Sequence, residues 1–288
     1  MWIVYAFAAA FFAGSMSFLA KIGIKKTDSN LATALRTIVV VIFAWVMVFV
    51  AGSQNTIADI STKSLVFLVL SGLATGGSWL CYFRALQIGD INKVVPVDKS
   101  STVLTILLSF AFLNEGLTWL KALAVILIGL GTYLMIDRKE SGTAKKQGYT
   151  WLIYAALSAV FASLTAILGK VGISDVESNL GTAIRTGVVL VMAWLIVFLQ
   201  GKQREPKSID KRSWVFIGLS GLATGLSWLC FYRALQEGPA SVVVPIDKLS
   251  ILVTVIFSGL ILHERLSKKA AAGLVLLVVG TLSLLIKI

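Results

Sequence analysis

Apolar residues come in long runs separated by short polar breaks, and that rhythm dominates the chain. A helix needs about 20 apolar residues to cross ~30 Å of hydrocarbon. Ten runs meet that length: Trp2 to Ile24, Leu31 to Val50, Ser64 to Gln87, Val94 to Leu113, Leu117 to Ile136, Trp151 to Ile173, Leu180 to Leu199, Trp214 to Gln236, Val242 to Leu262 and Lys269 to Ile286. The longest polar breaks, Asp137 to Gln147 and Gly201 to Arg212, are still short enough for a compact bundle. The first run is long enough to span and its positive residues follow it, so it reads as a helix and not as a cleavable leader.

Shifted by 149 residues, the chain aligns with itself without a gap. Trp2 falls on Trp151, Arg36 on Arg185, Trp79 on Trp228 and Glu115 on Glu264. About 60 of roughly 138 pairs are identical, far beyond shared greasiness, so the chain is a tandem duplication of a five-helix unit. The expected organisation is a first repeat over 1–137, a linker over 138–149 and a second repeat over 150–288. The longest shared stretch, Leu70 to Gly76, returns as Leu219 to Gly225, and its Gly72/Gly76 and Gly221/Gly225 have the GxxxG spacing of close helix packing.

An odd number of spans per unit makes the second repeat enter the membrane upside down, and loop charges carry that signature. The first loop of repeat one holds Lys25 and Lys26 and its second only Lys63; in repeat two the first loop holds Asp175 and Glu177, and the second Lys202, Arg204, Lys207, Lys211 and Arg212. Summed over the chain, 15 loop cations fall on the face of the linker and three, Lys63, Lys121 and Lys287, on the other. The positive-inside rule then puts the linker in the cytoplasm and both termini outside. The expected fold is all-α integral membrane: ten transmembrane helices as two inverted five-helix repeats, an architecture shared by many secondary transporters with a substrate site between the repeats.

Composition agrees. Hydrophobic residues make up 57% of the 288 and charged residues 14%, against about a quarter charged in soluble domains. The net charge of +12 lies mostly between the runs, which makes it an orientation signal and not a nucleic-acid footprint. Two cysteines, Cys81 and Cys230, and a single His263 supply no metal or haem pattern, and no cofactor is expected. An integral membrane enzyme, the rival from another class, would need a nucleophile with a base, and His263 has no partner for that role.

The segments Val94-Val-Pro-Val-Asp-Lys99 through Asn114-Glu115, and Val243-Val-Pro-Ile-Asp-Lys248 through His263-Glu-Arg265, each a Pro-containing fourth helix followed by a Glu and a Gly-rich final helix, resemble the EamA-type transporters of the drug/metabolite transporter superfamily. The resemblance covers nearly the whole chain. It implies membrane transport of small molecules without naming one, since that superfamily handles amino acids, nucleotide sugars, sugar phosphates, cations and lipid-linked sugars. A lipid-linked-sugar flippase of the same fold is the alternative it leaves open.

Ionisable side chains inside a span cost at least ~2.5 kcal/mol each and usually face a wet path or a partner. Repeat one has Lys21, Arg36, Arg84, Asp98 and Lys99 at one end of its helices; repeat two has Lys170, Arg185, Arg233, Asp247 and Lys248 at the opposite end. Inversion adds Glu264 to the first layer and Glu115 to the second. These residues are the candidates for a substrate pathway or a pair of gates, with Arg36 opposite Asp98 or Glu264 as a closing ion pair. Snorkelling to headgroups accounts equally well for the lysines and Arg84, less well for the arginines at 36 and 185 and the two short aspartates. Trp79 and Trp228, deep in the third span of each repeat, read either as an aromatic lining or as packing against the glycine face. Pro96 and Pro245 fit either a first turn or a kink.

The excess of cations suits a substrate with a carboxylate or phosphate. The expected protein is a plasma (inner) membrane transporter, acting by alternating access as a monomer that is internally a pseudo-dimer. Its partners are a small polar substrate, the lipid bilayer and, if transport is coupled, a proton.

Overall fold

The structure, a computed structural model, describes residues 1–23, 27–88, 94, 97–98, 100–116, 118–135, 150–203, 209–262 and 267–286; within them it leaves out the side chains of 17, 18, 21–23, 29, 83, 86, 87, 258, 259, 261 and 262. The described residues form helices joined by short turns, with no strand among them. In repeat one these are α1 (Trp2–Gly23), α2 (Ser29–Ala51), a 3-10 turn (Ser53–Asp59), α3 (Thr62–Ile88), α4 (Ser101–Leu113) and α5 (Trp119–Met135). Repeat two has α6 (Thr150–Gly172), α7 (Ser178–Leu199), α8 (Lys211–Glu237), α9 (Ala240–Lys248), α10 (Ser250–Leu262) and α11 (Lys268–Ser283). The linker lies outside the described residues.

Local chemistry sets the ends. Asp28 caps α2 by accepting from the backbone N–H groups of Asn30 (3.0 Å) and Leu31 (3.1 Å), and Glu177 at the same repeat position caps α7 through Asn179 and Leu180 (2.9 and 3.0 Å). Gly52 follows α2 with φ +70° and Gly201 follows α7 with φ +68°. Both are in the left-handed region, which costs glycine nothing and lets the chain leave the helix sharply.

Among the described residues six helical segments are long and apolar enough to cross a membrane: Asn30–Ala51, Thr62–Tyr82, Thr150–Gly172, Ser178–Leu199, Lys211–Glu237 and Ala240–Phe257. Trp2–Met16, Ser101–Leu113 and Trp119–Met135 are apolar but shorter. This is a multi-pass membrane fold, and its surface agrees: large apolar side chains such as Leu199 (79%), Val50 (73%) and Phe112 (71%) face outward, whereas Ser71, Ser109, Ser158, Thr182 and Thr186 are wholly buried. Lipid solvates the former; of the latter, Ser109, Thr182 and Thr186 donate to carbonyls one turn back on their own helix, and Ser71 and Ser158 donate across helix contacts.

The ninth apolar run is not one uninterrupted helix. It starts at Ala240, so Pro245 is its sixth residue and removes the amide that would bond the Ser241 carbonyl. The chain then tightens at Leu249, whose N–H bonds the Ile246 carbonyl (2.9 Å). Repeat one does the same at Ser100, bonded to Val97 (3.1 Å); Pro96 lies outside the described residues.

Helices pair mainly across the repeats. α1 packs on α8 and α3 on α6, α2 on α7, α5 on α11, α1 on α10 and α4 on α6. Exchanging the repeats leaves this scheme unchanged. The GxxxG glycines mediate it symmetrically: a Cβ on Gly72 would lie 2.9 Å from the Arg185 carbonyl oxygen, and one on Gly221 2.9 Å from that of Arg36. Gly76 meets Met192, and Gly225 meets Phe43, its repeat equivalent. These glycines therefore bring helix backbones together.

Candidate functional site

Four side chains form a ladder across the interface between the repeats. The Arg185 guanidinium on α7 lies 4.9 Å from the Trp228 ring centre, Trp228 stacks on Trp79 at 5.8 Å with a 33° tilt, and Trp79 lies 5.9 Å from the Arg36 guanidinium. The two tryptophans come from equivalent turns of α3 and α8, and the exchange symmetry brings them face to face. Each arginine gains a ring face, a contact that reaches about 2 kcal/mol or more for a desolvated cation such as Arg185 and about 0.5–1 kcal/mol for an exposed one.

The two ends of the ladder differ. Arg185 is 1% exposed. Its Nε donates to Ser71 Oγ (3.3 Å) and one terminal nitrogen to Thr75 Oγ1 (2.6 Å), both on α3 of the other repeat. Those hydroxyls donate their own protons to backbone carbonyls, Ser71 to Thr165 (2.8 Å) and Thr75 to Ser71 (2.9 Å), so their lone pairs are what the guanidinium meets. The Tyr232 ring centre lies 4.3 Å from the guanidinium carbon. The remaining nitrogen, Nη1, is buried with no hydrogen-bond partner among the described residues. Arg36 is only partly buried and donates to the Met16 sulfur (3.2 Å). Among the described residues it makes no ion pair with Asp98.

A second cluster clamps the turn between α8 and α9. The Glu115 carboxylate, at the end of α4, accepts from the N–H groups of Ala240 (2.7 Å) and Ser241 (3.0 Å) and from the Ser241 hydroxyl. An anion at a helix start offsets the partial charge of its unpaired amides. Lys170 does the converse at the end of α8, donating to the carbonyls of Leu235 (2.8 Å) and Gly238 (2.6 Å). Gln236 ties the same turn to the α6–α7 connection through the carbonyls of Ile173 (2.8 Å) and Val176 (2.7 Å). Lys121 stands 4.0 Å from Glu115.

The aspartates diverge as well. Asp98 accepts from the Ser158 hydroxyl (2.6 Å), which is also in contact with Ser78 Oγ (3.2 Å). Asp247 makes no hydrogen bond or ion pair among the described residues. The cause is a single difference between repeats, because Ser158 corresponds to Ala9. Of the other candidates, Arg233 pairs with Glu237 (2.7 Å) on the half-exposed flank of α8, Arg84 is exposed on α3, and Lys248 is half-buried at the end of α9. Lys99, Glu264 and the Lys21 side chain lie outside the described residues. No three His, Cys, Asp or Glu side chains converge as metal ligands among the described residues.

Sequence reasoning missed Tyr232, Ser71, Thr75 and Ser158. Two left a trace: Ser71 and Thr75 sit one turn apart in the longest repeated stretch. Tyr232 replaces Phe83 of repeat one, and Gly169, where repeat one has Ala20, makes room for it; a Cβ there would fall 2.7 Å from its ring.

Comparison with known proteins adds the family. The EamA-like transporter family matches residues 1–137 and again 149–286. An uncharacterized transporter encoded in the cobO 3' region of a Sinorhizobium species is 44% identical over 135 residues, 47% of this chain and 96% of that one. An uncharacterized transporter of Archaeoglobus fulgidus is 24% identical across 92% of this chain and 90% of its own length. A probable 4-amino-4-deoxy-L-arabinose-phosphoundecaprenol flippase subunit of Proteus mirabilis is 30% identical over 30% of this chain and 65% of its own. A solved crystal structure superposes with a TM-score of 0.80 at 16% identity, covering 98% of this chain and 95% of that one, which is a likeness of fold.

Proposed function

The chain belongs to the EamA-like transporter family, and from this we propose that it is a ten-helix secondary transporter of the plasma membrane that exports a small polar metabolite bearing a carboxylate or phosphate, working as a monomer. Its two inverted halves rock about the tryptophan pair and expose one cleft to each side in turn. The observation that carries this reading is the Arg36–Trp79–Trp228–Arg185 ladder, which brings one buried and one partly buried cation and an aromatic wall together at the interface between the repeats. Inversion is supported by the ends of equivalent helices. Asp28, before α2, pairs with Lys202, after α7, and Asn30 donates to Gln200 (2.9 Å), so α2 and α7 run in opposite directions. The Glu115 and Lys170 clamp is then one mouth in its closed state, with both termini outside and the 138–149 linker cytoplasmic.

The test is a metabolite-resolved efflux and uptake screen in proteoliposomes, with and without a pH gradient. Saturable movement of an anionic metabolite is expected, and a response to the gradient identifies a proton as coupling ion. Orientation has its own check. In a variant with Cys81 and Cys230 replaced by serine, single cysteines at the exposed positions Asn55 and Gln203, in equivalent loops of the two repeats, are expected to label from outside and inside respectively; labelling of both from one side removes the inverted arrangement.

A flippase for lipid-linked sugars is the second reading. It is favoured by the similarity to the Proteus flippase subunit and by a small crevice between α2, α3 and α7, lined by Asn30, Thr33, Gly76, Trp79, Val189 and Ala193, that includes one tryptophan of the ladder. Scrambling of labelled lipid-linked sugar in the same vesicles, without metabolite transport, would select it.

A further inference from the structure

One hydrogen bond between helices is reproduced when the repeats are exchanged. Ser78 Oγ on α3 donates to the Ser158 carbonyl on α6 (3.1 Å), and Ser227 Oγ on α8 donates to the Ala9 carbonyl on α1 (3.0 Å). The apolar surroundings of the two aspartates match as well. Val97, beside Asp98, packs with Ala85 and Ala155, and Ile246, beside Asp247, lies in one core with their equivalents Ala234 and Ala6. Two hydroxyls differ there, since Ser158 stands for Ala9 and Tyr82 for Phe231. The Ser158 hydroxyl donates to Asp98 Oδ1 (2.6 Å). Asp247 has no such tie among the described residues. Lys170, which belongs to the Glu115 clamp, lies 12 residues further along α6, about 18 Å. The Asp98 tie therefore belongs to the opposite mouth.

Resting on the transporter reading, we propose that the Asp98–Ser158 hydrogen bond is a latch on the cytoplasmic mouth, and that the outer mouth, at Asp247, lacks its counterpart. The latch crosses the moving boundary. Asp98 belongs to repeat one and Ser158 to repeat two, so the bond breaks when the halves part at that end. Its chemistry separates it from the helix packing beneath. The Ser158 proton goes to the carboxylate and the Ser78 proton to the Ser158 carbonyl, so deleting the Ser158 hydroxyl removes the tie and leaves the bond between α3 and α6 in place. A hydrogen bond to a carboxylate is about twice as strong as one between neutral groups, and breaking it strands a part-buried charge. The latch thereby weights the equilibrium toward closure at the Asp98 end by about tenfold, the population ratio that one such bond sets. The two mouths, alike in the repeat alignment, open with unequal ease.

The native cysteines report the opening. Cys81 follows Ser78 by three residues on α3 and Cys230 follows Ser227 by three on α8, one turn along the same face, and both are half-buried free thiols. Their alkylation by a water-soluble maleimide is timed by peptide mass spectrometry on the purified full chain in lipid nanodiscs. Ser158→Ala is expected to raise the Cys81 rate about tenfold without raising that of Cys230. Ala9→Ser offers Asp247 the missing hydroxyl and is expected to slow Cys230 by a similar factor without slowing Cys81. Asp98→Ala is expected to match Ser158→Ala, and the double variant to label no faster than either single, because all three lose the same bond. Should Asp98→Ala not fold, Asp98→Asn, which keeps a neutral acceptor for Ser158, is expected to fall between wild type and Ser158→Ala. An unchanged Cys81 rate in Ser158→Ala, equal acceleration at both cysteines, or effects that multiply in the double variant overturns the latch, and so does an unchanged Cys230 rate in Ala9→Ser. A protein that moves a metabolite in vesicles but whose Cys81 ignores Ser158→Ala loses the latch and keeps the transporter reading. One whose cysteines respond as expected yet moves nothing does the reverse.

Discussion

Glu115→Ala is expected to destabilise the protein by about 3 kcal/mol, at the upper end of what a hydrogen-bonded buried charge contributes. Its carboxylate has a side-chain exposure of 12% and serves three donors at the start of α9, two of them backbone amides with no other partner at a helix N-terminus. Removing it strands those amides in a region with little water to replace the acceptor. Glu237→Ala is the control: its pair with Arg233 is short at 2.7 Å, but the two side chains are 31% and 43% exposed, and pairs of that kind contribute about 0–1 kcal/mol. Glu115→Gln should fall between, because the amide keeps one acceptor oxygen but turns its NH2 toward an N–H. Unfolding midpoints of the three purified variants measure this directly. Equal midpoints for Glu115→Ala and Glu237→Ala would mean that α9 is not held by the α4 end.

That contact shows how far the sequence could be read. The apolar runs mark where α1, α2, α6, α7 and α8 lie, because each is an uninterrupted greasy length and lipid demands that a spanning backbone satisfy itself. The duplication is legible for a different reason: a constant 149-residue shift keeps Arg, Trp, Asp and Glu aligned across both copies. The tightening at Leu249 is not legible, since replacing an i to i−4 bond by an i to i−3 bond leaves the pattern of apolar residues untouched. Pro245 signals only that one amide is absent.

Partnerships across the repeats are the other blind spot. Charge and depth single out Arg185 in the sequence, but its acceptors Ser71 and Thr75 are more than 100 positions away and are ordinary helix residues. The repeat alignment suggests two equal arginine sites, whereas single changes (Phe83 to Tyr232, Ala20 to Gly169) make the two ends of the ladder unequal and another (Ala9 to Ser158) does so for the two aspartates. A self-alignment displays these differences yet assigns them no weight, because their effect depends on what packs against them.

The seam between α5 and α11 gives the other large expected effect, and it comes from two glycines two residues apart. A Cβ on Gly131 would lie 2.6 Å from the Gly273 carbonyl oxygen and 2.7 Å from the Leu277 nitrogen, whereas one on Gly129 meets nothing within 4 Å. Both clashes are with backbone, so no rotamer relieves them and the helices must part. Gly131→Ala is therefore expected to cost about 3 kcal/mol, the upper range for overpacking, since parting the helices also loosens Gly280 from Leu127 and Ile128 on the same seam. Gly129→Ala adds the same methyl to the same helix on its open side and is expected to be neutral or stabilising by up to about 1 kcal/mol, the usual gain of alanine over glycine in a helix. Thermal unfolding followed by helical circular dichroism compares the two without any assumption about substrate. Transport is expected to follow the same order, because the proposed rocking of the two halves depends on how the final helix of each repeat is seated. If both variants unfold together, α5 and α11 are held by their side chains and not by backbone approach.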